Sequence, residues 1–229
     1  MPVVLLIRHG RTNANASGTL AGRAPGVPLD ETGEEQIRQL SARLGGRIPA
    51  RVVSSPLERC VQTAGFFSGD VRLDERLLEC DYGQWTGARL NELRRTALWK
   101  VVQEHPSGAV FPDGEAMRAM QARAVEAIRD HDAQVASADG ANATWIAVSH
   151  GDVIKSVVAD ALGMHLDHFQ RLTVSPGSVT AISYTERRPF VLRLNDTGDD
   201  LRSLWSARRR RRAPSSDGVV GGGAGHGAG

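Results

Sequence analysis

Pro2-Val3-Val4-Leu5-Leu6-Ile7-Arg8-His9-Gly10-Arg11-Thr12 is the stretch on which the fold turns. An unbroken apolar run stops abruptly at an arginine, a histidine and a glycine. Such a run, closed by a Gly turn, reads as a strand buried on both faces, the kind found inside an α/β sheet. Ligands bind beyond the carboxyl ends of strands in sheets of that class. A histidine between two arginines at such a place suits an anion. By itself, Arg8–Thr12 serves equally well as a solvated polar turn, and residues elsewhere in the chain must decide.

Strand-like runs recur at Arg51–Ser54, Thr144–Ser149, Val179–Tyr184 and Val191–Asn195, with a short one at Val71–Leu73. Helical periodicity fills the intervals at Gly33–Leu44, Pro56–Phe66, Gly114–Val135 and Asp152–Leu162, and a further helix is expected over Ala88–Val102. The alternation predicts a layered α/β fold. Thr12–Leu29, Leu77–Gly87 and His105–Asp113 read as long loops, and long loops in a compact domain commonly carry function.

The chain has 229 residues with 41% hydrophobic and 24% charged, the composition of a soluble globular protein. One folded domain over residues 1–207 and a low-complexity tail over 208–229 are expected, the tail disordered because Arg, Gly and Ala cannot build a core. The tail holds five arginines, Arg208–Arg212, and Asp217, a net +4 against the chain's +2, which leaves the remainder at −2. Nucleic acid is therefore an unlikely partner except weakly through the tail. No apolar run is long enough to span a bilayer and no signal peptide is evident. Cys60 and Cys80 make neither a disulfide framework nor a zinc pattern. A reduced, cytoplasmic setting without membrane contact is the expectation.

Four segments share one local logic, a strand end followed by polar residues suited to an anion: Arg8-His9, Ser54–Arg59, Leu78–Gly83 and Ser149–Asp152. Arg59 falls at the start of a helix, where free N–H groups and the dipole favour a phosphate. A neutral imidazole nitrogen can attack phosphorus, and a guanidinium can hold phosphoryl oxygens through paired N–H donors. Each residue alone has a plain alternative: Arg59 as surface charge, Glu79 as a solvated loop acid, His150 as a structural histidine. Two His-Gly turns after two apolar strands, with an arginine at a third, favour the anion site.

These motifs together resemble the histidine phosphatase superfamily, also called phosphoglycerate-mutase-like. Arg8-His9-Gly10-Arg11-Thr12 resembles its Arg-His-Gly signature and Asn15 a recurrent phosphate-pocket residue. Gly22, Pro28-Leu29, Gly33 and Gln36 resemble the following loop and helix, and Ser54–Ala64 the second signature. Glu79, Tyr82-Gly83, Trp85 and Gly87 resemble the acid/base loop, and Gly114-Glu115 and Ser149-His150-Gly151 complete the set. The resemblance covers about residues 3–195 and points to phosphatase-type actinobacterial members.

The resemblance implies a three-layer α/β/α sandwich with a mostly parallel mixed sheet. It implies a histidine acid phosphatase-like phosphomonoesterase that needs no metal or other cofactor. His9 would be the nucleophile, and Arg8, Arg59 and His150 would surround the phosphoryl oxygens. Glu79 would pass the proton, its pKa raised by burial or by a neighbouring acid such as Asp81. Asn15, Ala21, Gly22 and Gly151 would join Arg8, Arg59, Glu79 and His150 in binding a small phosphorylated substrate. His150 is expected to be protonated or donating. The alternatives are a phosphoglycerate mutase-type phosphotransferase and a non-catalytic phosphate-binding protein. The short Ala88–Asp113 stretch and Cys80-Asp81 after Glu79 weigh against a mutase. Cys80 is expected near the pocket, Trp85, Trp99 and Phe111 in its wall or the core. Homodimerisation is possible by family analogy.

Overall fold

The computed structural model describes residues 1–67, 70–199 and 218–223. Its strands are β1 (Val3–Arg8), β2 (Val52–Ser54), β3 (Val71–Leu73), β4 (Thr144–Ser149), β5 (Val179–Tyr184) and β6 (Pro189–Asp196). They form one sheet in the order β3-β2-β4-β1-β5-β6. β1 runs parallel to β4, as do β2 to β4 and β2 to β3, while β5 is antiparallel to both β1 and β6. The sheet is therefore mixed and mostly parallel.

The helices are α1 (Asn13–Ser17), α2 (Glu31–Arg43), α3 (Glu58–Ala64), α4 (Leu90–Leu93), α5 (Ala97–Glu104), α6 (Met117–Asp139) and α7 (Gly151–Ala161). Side chains alternate across a strand, so each strand feeds two apolar layers. Val4, Leu6, Trp145, Ala147 and Ile182 pack with Met117, Met120 and Ile128 of α6 and with Val153 and Val157 of α7. Ile7, Ile146, Val148 and Val179 pack on the other face with Leu40 of α2 and with Cys60 and Ala64 of α3. Helices thus cover both faces, as the three-layer expectation requires. No helix among the described residues is long and apolar enough to cross a membrane.

The structure departs from the sequence reading in four places. α1 lies inside the expected Thr12–Leu29 loop; it buries no residue and so has no apolar periodicity, and a Thr12–Asn15 capping box closes it. Pro56 sits in the turn before α3, not in its first turn. The helix expected over Ala88–Val102 divides into α4 and α5, and Thr96 restarts it by accepting from the Trp99 N–H at 3.3 Å. Finally, Gly218–Gly223, inside the expected disordered tail, is packed with Val220 1% exposed. Arg208–Arg212 and the junction at residue 207 lie outside the described residues.

The turn after β1 is pinned against α2. Asp30 caps α2 by accepting from the Gly33 N–H at 2.8 Å, and its other oxygen takes Arg11 Nε at 2.8 Å. A cap of this kind is worth about 1 kcal/mol. Gly10 and Gly33 let the two backbones touch: a Cβ on Gly33 would lie 2.1 Å from the Arg11 carbonyl oxygen. Relieving that overlap costs about 1–3 kcal/mol. Gly33→Ala is therefore expected to lower the thermal midpoint by roughly 3–10 °C. An unchanged melting curve would show that this approach does not constrain the turn.

Candidate active site

β1 delivers Arg8 and His9 to opposite sides of the sheet end, by the same alternation that separates Leu6 from Ile7. His9 reaches α3 and Arg8 reaches the α7 side. His9 is 3% exposed. Its Nδ1 lies 2.7 Å from the Gly10 carbonyl oxygen, and Arg59 Nε donates to its Nε2 at 3.3 Å. A carbonyl only accepts and a guanidinium only donates, so Nδ1 carries the proton and Nε2 the lone pair. Burial first, then Arg59 and Arg8, holds the His9 pKa well below its usual value. His9 is thus a neutral imidazole whose Nε2 lone pair faces Arg59.

Arg59 is buried at the start of α3. Its Nη2 donates to the Gly22 carbonyl at 2.8 Å and to His150 Nδ1 at 3.3 Å. Its Nη1 is buried and has no hydrogen-bond partner among the described residues. A buried N–H left unpaired costs about 1–3 kcal/mol, which an incoming oxyanion would recover. His150 accepts at Nδ1, so its Nε2 proton goes to Ser55 Oγ at 2.8 Å. Burial, Arg59, His9 and Arg8 push its pKa well down. With Nδ1 accepting and the pKa lowered, His150 is a neutral ring that donates through Nε2, the second of the two forms expected for it, and it orients Arg59. Thr63 ties α3 to the turn that carries His9, accepting from the Gly10 N–H at 3.2 Å.

Glu79 is 4% exposed, and one of its oxygens accepts from the Cys80 N–H at 3.0 Å. Its backbone carbonyl is held by Arg23 Nε at 2.8 Å and Arg123 Nη2 at 3.1 Å. Glu115 gathers both arginines and also accepts from the Asp81 N–H at 2.9 Å, so the whole loop is braced. Burial, then the charge of Asp152, pushes the Glu79 pKa up to about 7, against the pull of the Cys80 N–H, Arg59 and Arg8. The neighbouring acid is thus Asp152, not Asp81. Asp81 is engaged in its own turn, accepting from the Gly83 N–H at 3.0 Å.

The role of Asp152 could not be read from its motif. It is fully buried, accepts from Tyr82 Oη at 2.8 Å and from the Gly221 N–H at 2.9 Å, and lies 3.6 Å from Lys155 Nζ. Only its position after Ser149-His150-Gly151, in the first turn of α7, hinted at a place near the site.

A narrow cleft of about 20 Å³ opens over this assembly. His9, Asn15, Ala21, Gly22, Arg59 and Glu79 lie on its wall. Asn15 Oδ1 accepts from the Thr12 N–H and Oγ1, which leaves its Nδ2 as a donor. Arg8, His150 and Gly151 are fully or nearly fully buried behind that wall. The Arg8 Nη1 and Nη2 donate to the carbonyls of Val174, Gly221, Gly222 and Gly223 at 2.7–3.1 Å, and its buried Nε has no partner among the described residues. Cys80 is not at the pocket; its sulfur packs 3.8 Å from that of Met117, and burial raises its pKa well above the usual thiol value. Trp85, Trp99 and Phe111 pack with one another in the core.

Residues 4–197 match the model of the histidine phosphatase superfamily (branch 1). The chain belongs to that superfamily. It is 29% identical over 208 residues to a 2,3-bisphosphoglycerate-dependent phosphoglycerate mutase of Thermoplasma acidophilum, covering 88% of this chain and 97% of that one. It is 26% identical to phosphoserine phosphatase 1 of Hydrogenobacter thermophilus, over 86% of this chain and 93% of the relative. The structure of an Entamoeba histolytica phosphoserine phosphatase mutant in complex with phosphoserine superposes with a TM-score of 0.76 at 25% identity, covering 86% and 98% of the two chains. In a superfamily with both phosphatases and mutases among its members, this chain is expected to be an enzyme of the same general chemistry.

Proposed function

We propose that the protein is a phosphomonoester hydrolase that works through a phosphohistidine on His9. The observation that carries this reading is Arg59, whose buried, unpartnered Nη1 lies on the guanidinium that touches His9 Nε2. A neutral nucleophile and an unpaired cationic donor meet on one cleft wall with a carboxyl that titrates near neutrality. His9 Nε2 forms the P–N bond as the ester P–O bond breaks, and Glu79 gives its proton to the departing alkoxide. Water then attacks phosphorus, Glu79 takes its proton, and the P–N bond breaks to release inorganic phosphate. Arg59 and the Asn15 amide stabilise the equatorial oxygens, with Arg8 in reach if its carbonyl partners leave.

The similarity to a phosphoglycerate mutase supports a second reading, phosphotransfer. The cleft wall speaks for hydrolysis of a substrate with one phosphate. Among the described residues that line it, Arg59 is the one arginine or lysine; Ala14, Gly18, Thr19, Leu20 and Leu90 make the remainder small and neutral. A bisphosphorylated acid would need further cations there. A panel of phosphomonoesters assayed with EDTA separates the readings: hydrolysis gives stoichiometric inorganic phosphate, whereas a mutase moves the phosphoryl group between hydroxyls of its substrate.

The pH profile follows from the two shifts. Glu79 must be protonated to serve as the acid, and that form is lost as pH rises through about 7. His9 must be neutral, and its lowered pKa keeps it so through mildly acid pH. For an alkyl phosphate, kcat/KM is expected to fall with a slope of one proton above about pH 7. For p-nitrophenyl phosphate, whose leaving group needs no proton, that limb should be much weaker. Identical limbs for both esters would remove Glu79 as the acid.

A further inference from the structure

Gly218-Val219-Val220-Gly221-Gly222-Gly223 presents oxygen atoms to the site. Gly221, Gly222 and Gly223 give their carbonyls to Arg8, at 3.1, 2.8 and 2.7 Å. Val219 O lies 3.5 Å from Lys155 Nζ, and Gly218 O accepts from Gln103 Nε2 at 2.9 Å. The Gly221 N–H goes to Asp152, and Val220 is sealed into the core formed with α7. Val220, Gly221 and Gly223 also stand on the cleft wall with His9, Arg59 and Glu79.

The fit needs these residues. Gly221, Gly222 and Gly223 have φ of 71°, 75° and 54°, a region that disfavours any side chain. A Cβ on Gly222 would lie 2.7 Å from Arg8 Nη1, and Gly151 approaches so closely that its own Cβ would meet Gly221 O at 3.0 Å. A run of consecutive glycines is therefore what this contact demands, and composition alone could not reveal it.

Carbonyl oxygens here occupy the donors that a phosphoryl group would use. A phosphate is the stronger partner for a guanidinium, because both members of the pair are charged. We propose that Gly218–Gly223 is an internal competitor of the phosphoryl group, which holds Arg8 in the resting enzyme and leaves when a phosphate oxyanion takes its place. The proposal rests on the phosphoryl-transfer reading above. Docked, the segment accepts three Arg8 Nη hydrogen bonds and narrows the cleft; undocked, it frees those three donors, while Val174 O keeps its hold on Nη1, and it opens the wall beside Glu79. A segment docked in about nine molecules of ten raises the apparent Kd for phosphate about tenfold.

The test uses the full-length protein with inorganic phosphate as the probe. Two variants evict the segment by different routes: Gly222→Val through Arg8, and Val220→Asp through a buried charge that leaves Arg8 untouched. Calorimetry measures phosphate binding, and hydrogen exchange reads the amides of residues 218–223. The proposal expects slow exchange at Gly221 in the free enzyme and faster exchange once phosphate binds. It also expects about tenfold tighter phosphate binding in both variants. If exchange at Gly221 stays slow with phosphate bound, or if both variants bind phosphate no more tightly than wild type, the competition is refuted while the hydrolase reading stands. If wild type and variants alike bind no phosphate, both fail together.

Discussion

His9→Ala should abolish turnover while leaving the fold intact. Removing an enzyme's nucleophile costs on the order of 10⁶-fold in kcat, since no other group can form the covalent intermediate. The neighbours offer no substitute. Burial pushes the Cys60 thiol up to about 12, Cys80 lies in the core, and His150 is fully buried behind the cleft wall with its Nε2 proton on Ser55. The side chain that is removed donates to one backbone carbonyl and accepts from Arg59, so the loss of stability should be modest. Steady-state hydrolysis of a phosphomonoester, together with a melting curve, checks both halves. Turnover within tenfold of wild type would mean that the chemistry does not pass through His9.

Glu79→Gln is expected to lower the rate on alkyl phosphates by about 10²–10⁴-fold, the usual worth of general acid–base catalysis. Glutamine keeps the shape and can still accept from the Cys80 N–H, and Arg23 and Arg123 hold the backbone carbonyl whichever side chain is present. The change therefore isolates the proton. Two signatures separate a chemical role from a structural one. The decline above about pH 7 should vanish, because the titrating group is gone. With p-nitrophenyl phosphate the first turnover should survive better than later ones, since dephosphorylation still needs a base for water. A uniform loss across esters and pH would point to packing.

What was legible in the sequence was whatever a short stretch determines. The apolar run at Val3–Ile7 reads as a buried strand, and the helical periodicity at Gly33–Leu44 places α2, whose Leu40 packs on the sheet. Arg59 followed from a strand-to-helix junction, and His9 from the end of β1. The environment of each group was not legible, because it depends on partners far away in the chain. The acid that raises the Glu79 pKa is Asp152, brought near by β4 and α7, whereas the sequence offered its neighbour Asp81. The His150 pKa is lowered by burial and by the charges of Arg59, His9, Arg8 and Arg123, a surrounding that no local motif displays. Arg8 meets carbonyls more than two hundred residues away, in glycines whose composition carries no periodic signal. α1 and the break between α4 and α5 escaped for a related reason: helices of four or five residues are too short to show a 3.6-residue pattern.

The central claim is that phosphorus is bonded to His9 during turnover. Full-length enzyme mixed with a ³²P-labelled phosphomonoester and quenched within milliseconds into alkaline denaturant, which preserves a phosphoramidate, should carry label that is stable to base and lost in acid. Peptide mapping should place that label on the fragment containing His9, and Glu79→Gln should accumulate it to a higher level. Turnover without protein-bound label in either enzyme, or label that maps to another residue, would contradict the account.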